Sequence, residues 1–252
     1  HLLEVDESLR CVVLEYIEGH TYAEGSTPEQ KDLQSAFDFF CKLNSNIELA
    51  NEMVKLQAAD GYLSLRQHME NIFERLSVMD IEHLPQSYKE LSGQFLSQLN
   101  ALANDVAERL EKKIDLGIVE DSIKSFDRCV SPSDFGFHNA IRTVEGIKFI
   151  DFEFAGWDDP AKTCIDFTLQ QRNPIHLSPI DVANKFRLEK KRLSVSRITA
   201  LSEILNIKWR CIILGVFNPS KLSQVISLGR DLSPESVLST QFRRYYQYIE
   251  TH

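Results

Sequence analysis

The chain has 252 residues, a formal net charge of −9, and 43% hydrophobic and 26% charged residues. That length allows one large domain or two small ones with a proper core, and the composition is ordinary for a folded protein. The acidic balance argues against a nucleic-acid partner, whose binding rests on Lys and Arg neutralising phosphates, and ten glycines exclude a collagen-like or glycine-rich chain.

Residues 1–18 hold neither a basic-apolar signal segment nor a transit peptide. The non-Met start at His1 reads as a cut. Arg10 to Ile17 is short, β-branched and aromatic, and reads as a strand stopped by Glu18-Gly19. Thr27-Pro28-Glu29-Gln30 reads as a helix start, with Thr27 as cap and Pro28 in the first turn. Leu33, Ala36, Phe37, Phe40 and Cys41 then fall on one helical face. Tyr62 to Leu76 and Tyr88 to Leu110 read as two more amphipathic helices.

From Phe126 to Ile165 the texture changes to short strand-like pieces, turns and acidic groups. Ala140 to Thr143 and Ile147 to Phe152 read as a hairpin joined through Glu145-Gly146. After Pro160, helices are expected near 160–171, 180–190, 194–215 and 234–250, with Ser178-Pro179 and Ser233-Pro234 as starts. The last carries Val237, Leu238, Phe242, Tyr245, Tyr246 and Ile249 on one side. The Trp209 region reads as core helix, and Lys185, Arg187, Lys190, Lys191 and Arg192 as a solvated basic face.

No apolar run spans a bilayer; the longest clear one is Cys211 to Ser220. The five cysteines are odd in number, widely spaced and free of C-x-x-C, so they read as small buried hydrophobes in a reducing compartment, most simply the cytoplasm. The seven histidines contain no H-x-x-x-H pair for zinc.

The polar insert carries the chemistry. It reads SPSDFGFHNAI over Ser131 to Ile141, then IKFIDFEFAGWDDPAKTCIDF over Ile147 to Phe167. Asp134 and Asn139 stand at D-x4-N spacing, a pattern that arises about 0.7 times by chance in this composition and so means little alone. Its weight lies in the order: a loop Asp, an Asn five residues on, a hairpin, then a strand ending in Asp151. Phosphoryl transfer needs such a set, with one carboxylate to accept the proton of an attacking hydroxyl and hard oxygen ligands to hold Mg²⁺.

The segment resembles the aminoglycoside phosphotransferase and choline kinase superfamily, whose members carry H-G-D-x4-N, a hairpin, then I-D-W-E-x-A-x-x-G-D-P. Here Ser133-Asp134 through Asn139 is followed by Ile150-Asp151-Phe152-Glu153-Phe154-Ala155-Gly156-Trp157-Asp158-Asp159-Pro160. The resemblance implies an α+β, mostly helical, protein-kinase-like C-lobe with a small β-hairpin at its catalytic centre. It implies an ATP- and Mg²⁺-dependent kinase acting on a hydroxyl of a small molecule, such as an amino sugar, another carbohydrate or an amino alcohol. Asp134 would be the catalytic base and Asn139 with Asp151 the magnesium ligands. Glu15, Tyr16 and Ile17 would be hinge residues binding adenine through their main chain, while Glu153, Asp159 and Asp166 would order the loop or face the substrate. Residues 1–20 would close an N-lobe and hinge and 21–252 form the C-lobe, with the catalytic and metal loops at about 126–167. Two departures stand out: Pro132-Ser133 replaces the family's His-Gly, and no glycine-rich phosphate loop or lysine-bearing strand precedes the hinge. They keep open a second reading, a catalytically impaired pseudokinase-like binding or scaffold module.

Overall fold

The computed structural model describes residues 2–8, 11–188, 193–229 and 232–251. Strands β1 (Leu2–Asp6) and β2 (Cys11–Leu14) pair antiparallel into a two-stranded ribbon, where the sequence led us to expect one strand over 10–17. Leu3, Val5, Val12, Val13 and Leu14 all lie exposed on it. Residues 15–19 then run without regular structure into β3 (His20–Thr21).

Helix α1 (Gln30–Leu43) begins two residues later than Thr27 as cap implied. Glu29 and Asp32 form a reciprocal capping box that sets the start, and Pro28 lies outside it. The face read from the sequence is largely the one that packs: Ala36, Phe37 and Phe40 are buried. Cys41 on that face is only half-buried, and Cys11 is exposed, so the buried thiols are Cys129, Cys164 and Cys211. A short α2 (Ile47–Met53), capped by Asn46, was not legible, because seven residues are too few to establish a period. Helices α3 (Leu65–Ser77) and α4 (Gln86–Asp115) fall where the two amphipathic runs predict.

The polar insert forms four short strands. β4 (Cys129–Ser131) pairs with β7 (Gly156–Asp158), and β5 (Ala140–Thr143) with β6 (Gly146–Phe149), all antiparallel. β3 adds to the free edge of β5, giving the order β3-β5-β6. This couples the segment after residue 19 directly to the hairpin.

Beyond the insert come α5 (Pro160–Leu169), α6 (Pro179–Lys185), α7 (Val195–Ile213), α8 (Pro219–Leu228) and α9 (Pro234–Thr251). Helix α5 is buried along its whole length and packs against α6 and α7, and α7 also contacts α3, α4 and α9. A 3₁₀ turn over Leu214–Phe217 ends α7, and α8 leaves at 71° to it. Helix α8 was missed, although Asn218-Pro219 is a legible start: Asn218 Oδ1 accepts from the Ser220 amide. On α9 the buried side carries Tyr245 and Tyr248, whereas Tyr246 and Ile249 are partly exposed, so the predicted face is rotated. Lys185 and Arg187 are exposed, and Lys190, Lys191 and Arg192 lie outside the described residues. No single helix among the described residues is long and apolar enough to cross a membrane.

Candidate active site

The loop after β4 is built by alternation. Phe135 and Phe137 are buried and join an aromatic cluster with Phe149, Phe167 and Phe186; the Phe135 and Phe167 rings stack at 5.0 Å. Asp134 is left exposed between Ser133 and Phe135. A β-carbon on Gly136 would come within 2.1 Å of Gln170 Oε1 and 2.7 Å of His138 Nδ1, so this position admits no side chain without moving both. Gln170 in turn accepts from the Phe137 amide at 3.2 Å, which ties the loop to the end of α5.

Asn139 closes a single 3₁₀ turn and donates through Nδ2 to the Asp134 carbonyl (3.0 Å) and to its Oδ2 (3.1 Å). His138 Nε2 lies 3.1 Å from the other oxygen, Oδ1. The His138 hydrogen bond is the largest influence on Asp134; with the Asn139 amide it holds the carboxyl below the usual aspartate range, against burial. The β5–β6 register does the rest. Ala140 faces Phe149, and the Ile150 amide donates to the Asn139 carbonyl at 2.9 Å, so Asp151 emerges beside Asn139.

Ser133 and Asp151 both have left-handed backbones, with φ of 66° and 65°. Few non-glycine residues adopt this conformation, and where they do the surroundings must enforce it. Ser133 stands where the family motif has glycine. Its amide donates to Ser131 Oγ and its hydroxyl to the Ala59 carbonyl, which hold the turn without a glycine. Gly156 on β7 is pressed against the chain at Leu56 to Ala58, where a β-carbon would meet main-chain atoms at 2.5 Å. This close approach brings Ala59 and Asp60 to the site.

The acidic residues after Asp151 divide into two groups. Glu153 is exposed. Asp158, Asp159 and Asp166 are buried and each is paired: Asp158 with Lys162 (2.7 Å), Asp159 with Arg197 (2.7 Å) and Asp166 with Lys208 (2.7 Å). Asp159 also caps α5 through the Ala161 amide. Burial alone would raise Asp166, but Lys208 and Lys162 pull it well below the ordinary range. Burial pushes Asp158 up to about 6 despite Lys162. All three carboxylates are thus held inside the fold by buried ion pairs.

Two adjoining cavities, about 430 and 250 Å³, share Asp134, His138, Gln170, Trp209 and Ile212. Trp209 is therefore a wall of the site as well as part of α7, and its Nε1 donates to Asp166 at 2.9 Å. A roomier cavity of about 880 Å³ between α4, α5 and α7 contains none of the predicted site residues. Glu15, Tyr16 and Ile17 lie apart from these cavities, in the irregular segment after β2, with Tyr16 87% exposed.

The sequence matches no described protein-family pattern and no curated protein. The fold does have solved counterparts. A choline/ethanolamine kinase family protein from Mesorhizobium loti superposes with a TM-score of 0.50 at 15% identity, covering 99% of this chain and 74% of that one. The choline kinase LicA from Streptococcus pneumoniae gives 0.53 at 14% identity, covering 100% and 75%. The chain has the choline and aminoglycoside kinase-like fold. The spectinomycin phosphotransferase APH(9)-Ia, solved with ADP and spectinomycin, gives 0.52 at 12% identity, covering 92% of this chain and 65% of that one.

The donor set within this kinase-like fold fits Mg²⁺. Asn139 keeps Oδ1, and Asp151 its carboxylate, without a hydrogen-bond or ion-pair partner among the described residues, while Nδ2 of Asn139 is committed to Asp134. Two hard oxygen donors beside a carboxylate suit Mg²⁺, which keeps waters and phosphate oxygens as its other ligands.

Proposed function

We propose that the protein is a phosphotransferase that moves the γ-phosphoryl group of ATP to a hydroxyl of a small molecule. The observation that carries this is the join between loop and hairpin. Asn139 holds Asp134 through its amide while its carbonyl anchors Ile150, so base and metal ligands form one rigid unit in a kinase-like fold.

In this reading Asp134 orients the acceptor hydroxyl and accepts its proton, and the low pKa keeps the carboxylate ionised at neutral pH. Asn139 and Asp151 hold Mg²⁺, which when bound neutralises phosphate charge. His138 fixes one carboxylate oxygen and leaves the other to Asn139. Residues 1–20 are assigned to the N-lobe and hinge, where the main chain of Glu15, Tyr16 and Ile17 would bind adenine, and residues 21–252 to the helical lobe. Glu153 is left as an exposed group on the substrate side.

Asp134→Asn is expected to lower turnover about 10²–10⁴-fold with little change in thermal stability, measured with Mg-ATP and a panel of hydroxyl acceptors on the full-length protein. Full activity in that variant ends the assignment. The replacement of His-Gly by Pro132-Ser133 supports the scaffold reading instead, and calorimetry separates the two. Magnesium-dependent ATP binding supports the enzyme, and its absence supports the scaffold.

A further inference from the structure

Two donors on the cavity wall beside Asp134 have no protein partner among the described residues. Arg172 is an exposed residue that lines the 430 Å³ cavity, and its guanidinium makes no hydrogen bond or ion pair among the described residues. Next to it, Nε2 of Gln171 is buried and lacks a partner. A buried donor left unpaired is costly, and a guanidinium presents its N–H groups as a fork that matches a carboxylate or phosphate.

The acidic groups of the same cavities are already neutralised. Glu24 is paired with Arg244 at 2.8 Å, Asp60 with Arg75 at 2.5 Å and Asp166 with Lys208 at 2.7 Å. Of the described carboxylates that line these cavities, Asp134 alone has no Lys or Arg partner; Asp151 and Glu153, also without one, do not line them. The Trp209 ring already has the Lys208 ammonium 5.8 Å from its centroid, which disfavours a second cation there. Trp209 and Ile212, one helical turn apart on α7, still offer an apolar wall suited to the C–H face of a sugar-like chain.

We infer that the acceptor is a polyhydroxylated small molecule carrying an anionic oxygen group, seated on Arg172 and Gln171 while one of its hydroxyls meets Asp134. This rests on the phosphotransferase reading and adds the substrate class to it. The same arrangement disfavours cationic acceptors of the choline or amino-sugar kind.

The test is calorimetry on the full-length protein with four probes: D-gluconate, D-glucose 6-phosphate, the neutral D-glucitol, and choline. Phosphoryl transfer to each is followed separately by ³¹P NMR. At least one anionic probe is expected to bind about tenfold or more tightly than glucitol, as a charge-assisted pair implies. Which of the two does so separates carboxylate from phosphate. Arg172→Ala should abolish that preference, Arg172→Lys should restore part of it, and both should bind Mg-ATP as the wild type does. Tightest binding of choline, an unchanged preference in Arg172→Ala, or no anionic binding at about 10 mM overturns the inference. Anionic binding without phosphoryl transfer to any probe overturns the phosphotransferase reading and leaves the anion site standing. Transfer to choline alone does the reverse.

Discussion

At Asp151 the backbone works against the side chain's intrinsic preference. A left-handed φ of 65° costs an L-residue about 1–2 kcal/mol, yet an aspartate stands there with no partner among the described residues for its carboxylate. Strain of this kind is tolerated where it places a functional group. Replacing Asp151 with glycine relieves it. Asp151→Gly is expected to stay within about 1 kcal/mol of the wild type in urea denaturation, or above it, while losing magnesium-dependent nucleotide binding. Asp151→Val should cost about 2–3 kcal/mol, since a branched β-carbon fits left-handed backbone worst. Equal stability of the two variants would remove strain from the account. The residue type of Asp151 was legible in the sequence; its conformation was not, because φ there is set by the turn that follows β6.

Two buried ion pairs join α5 and α7: Asp166 with Lys208 along the helices, and Asp159 with Arg197 at their starts. Arg197 gives Nε to Asp159 and its other nitrogens to the carbonyls of Leu63, Glu120 and Asp121, so one side chain ties the starts of α3, α5 and α7 together. Removing the cation strands a fully buried carboxylate. Arg197→Met is expected to destabilise by about 3–5 kcal/mol. Adding Asp159→Asn to it should recover part of the loss, with a coupling energy above about 1 kcal/mol in a double-mutant cycle. Strictly additive losses would contradict the pairing. Asp159 was singled out through the family resemblance, whereas Arg197 had no signal: it is 38 residues away and reads as one charge on an amphipathic helix.

Across the whole molecule the buried charges set the response to pH. Asp158 is raised to about 6 in the fold by burial, so it binds a proton there more readily than in the unfolded chain. Its contribution therefore favours the folded state as pH falls from about 6 towards the ordinary aspartate value of about 4. Asp166 is shifted the other way: Lys208 and Lys162 outweigh burial, and its contribution is lost as pH falls below the ordinary range. Buried His68, held well below the ordinary histidine range by burial, works the other way on mild acidification, so the Asp158 contribution is read as a difference between two proteins. As pH falls from about 6 to 4 the thermal midpoint of the wild type should gain on that of Asp158→Asn, and a constant gap from pH 3 to 8 would count against the assignment. At this scale the exposed apolar ribbon β1–β2 also stands apart, the part of the chain with least burial around it.

The sequence by itself determined the helical texture, the hairpin over 140–149, and the order Asp134, Asn139, Asp151 that pointed to phosphoryl transfer. Those are local signals: apolar period, turn residues and short spacings. It could not decide the start of α1, the short helix α2, or which face of α9 is buried, since a capping box, a seven-residue helix and a packing rotation all depend on neighbours. It also could not tell a carboxylate that meets substrate from one that holds the fold. Asp158, Asp159 and Asp166 look alike along the chain, and only the tertiary structure sets Lys162, Arg197 and Lys208 against them. The same packing turned Trp209 from a core residue into a wall of the site and set Arg172 on the same cavity. Charge pairing over long separations is decided by which helices touch, and that is a property of the folded chain.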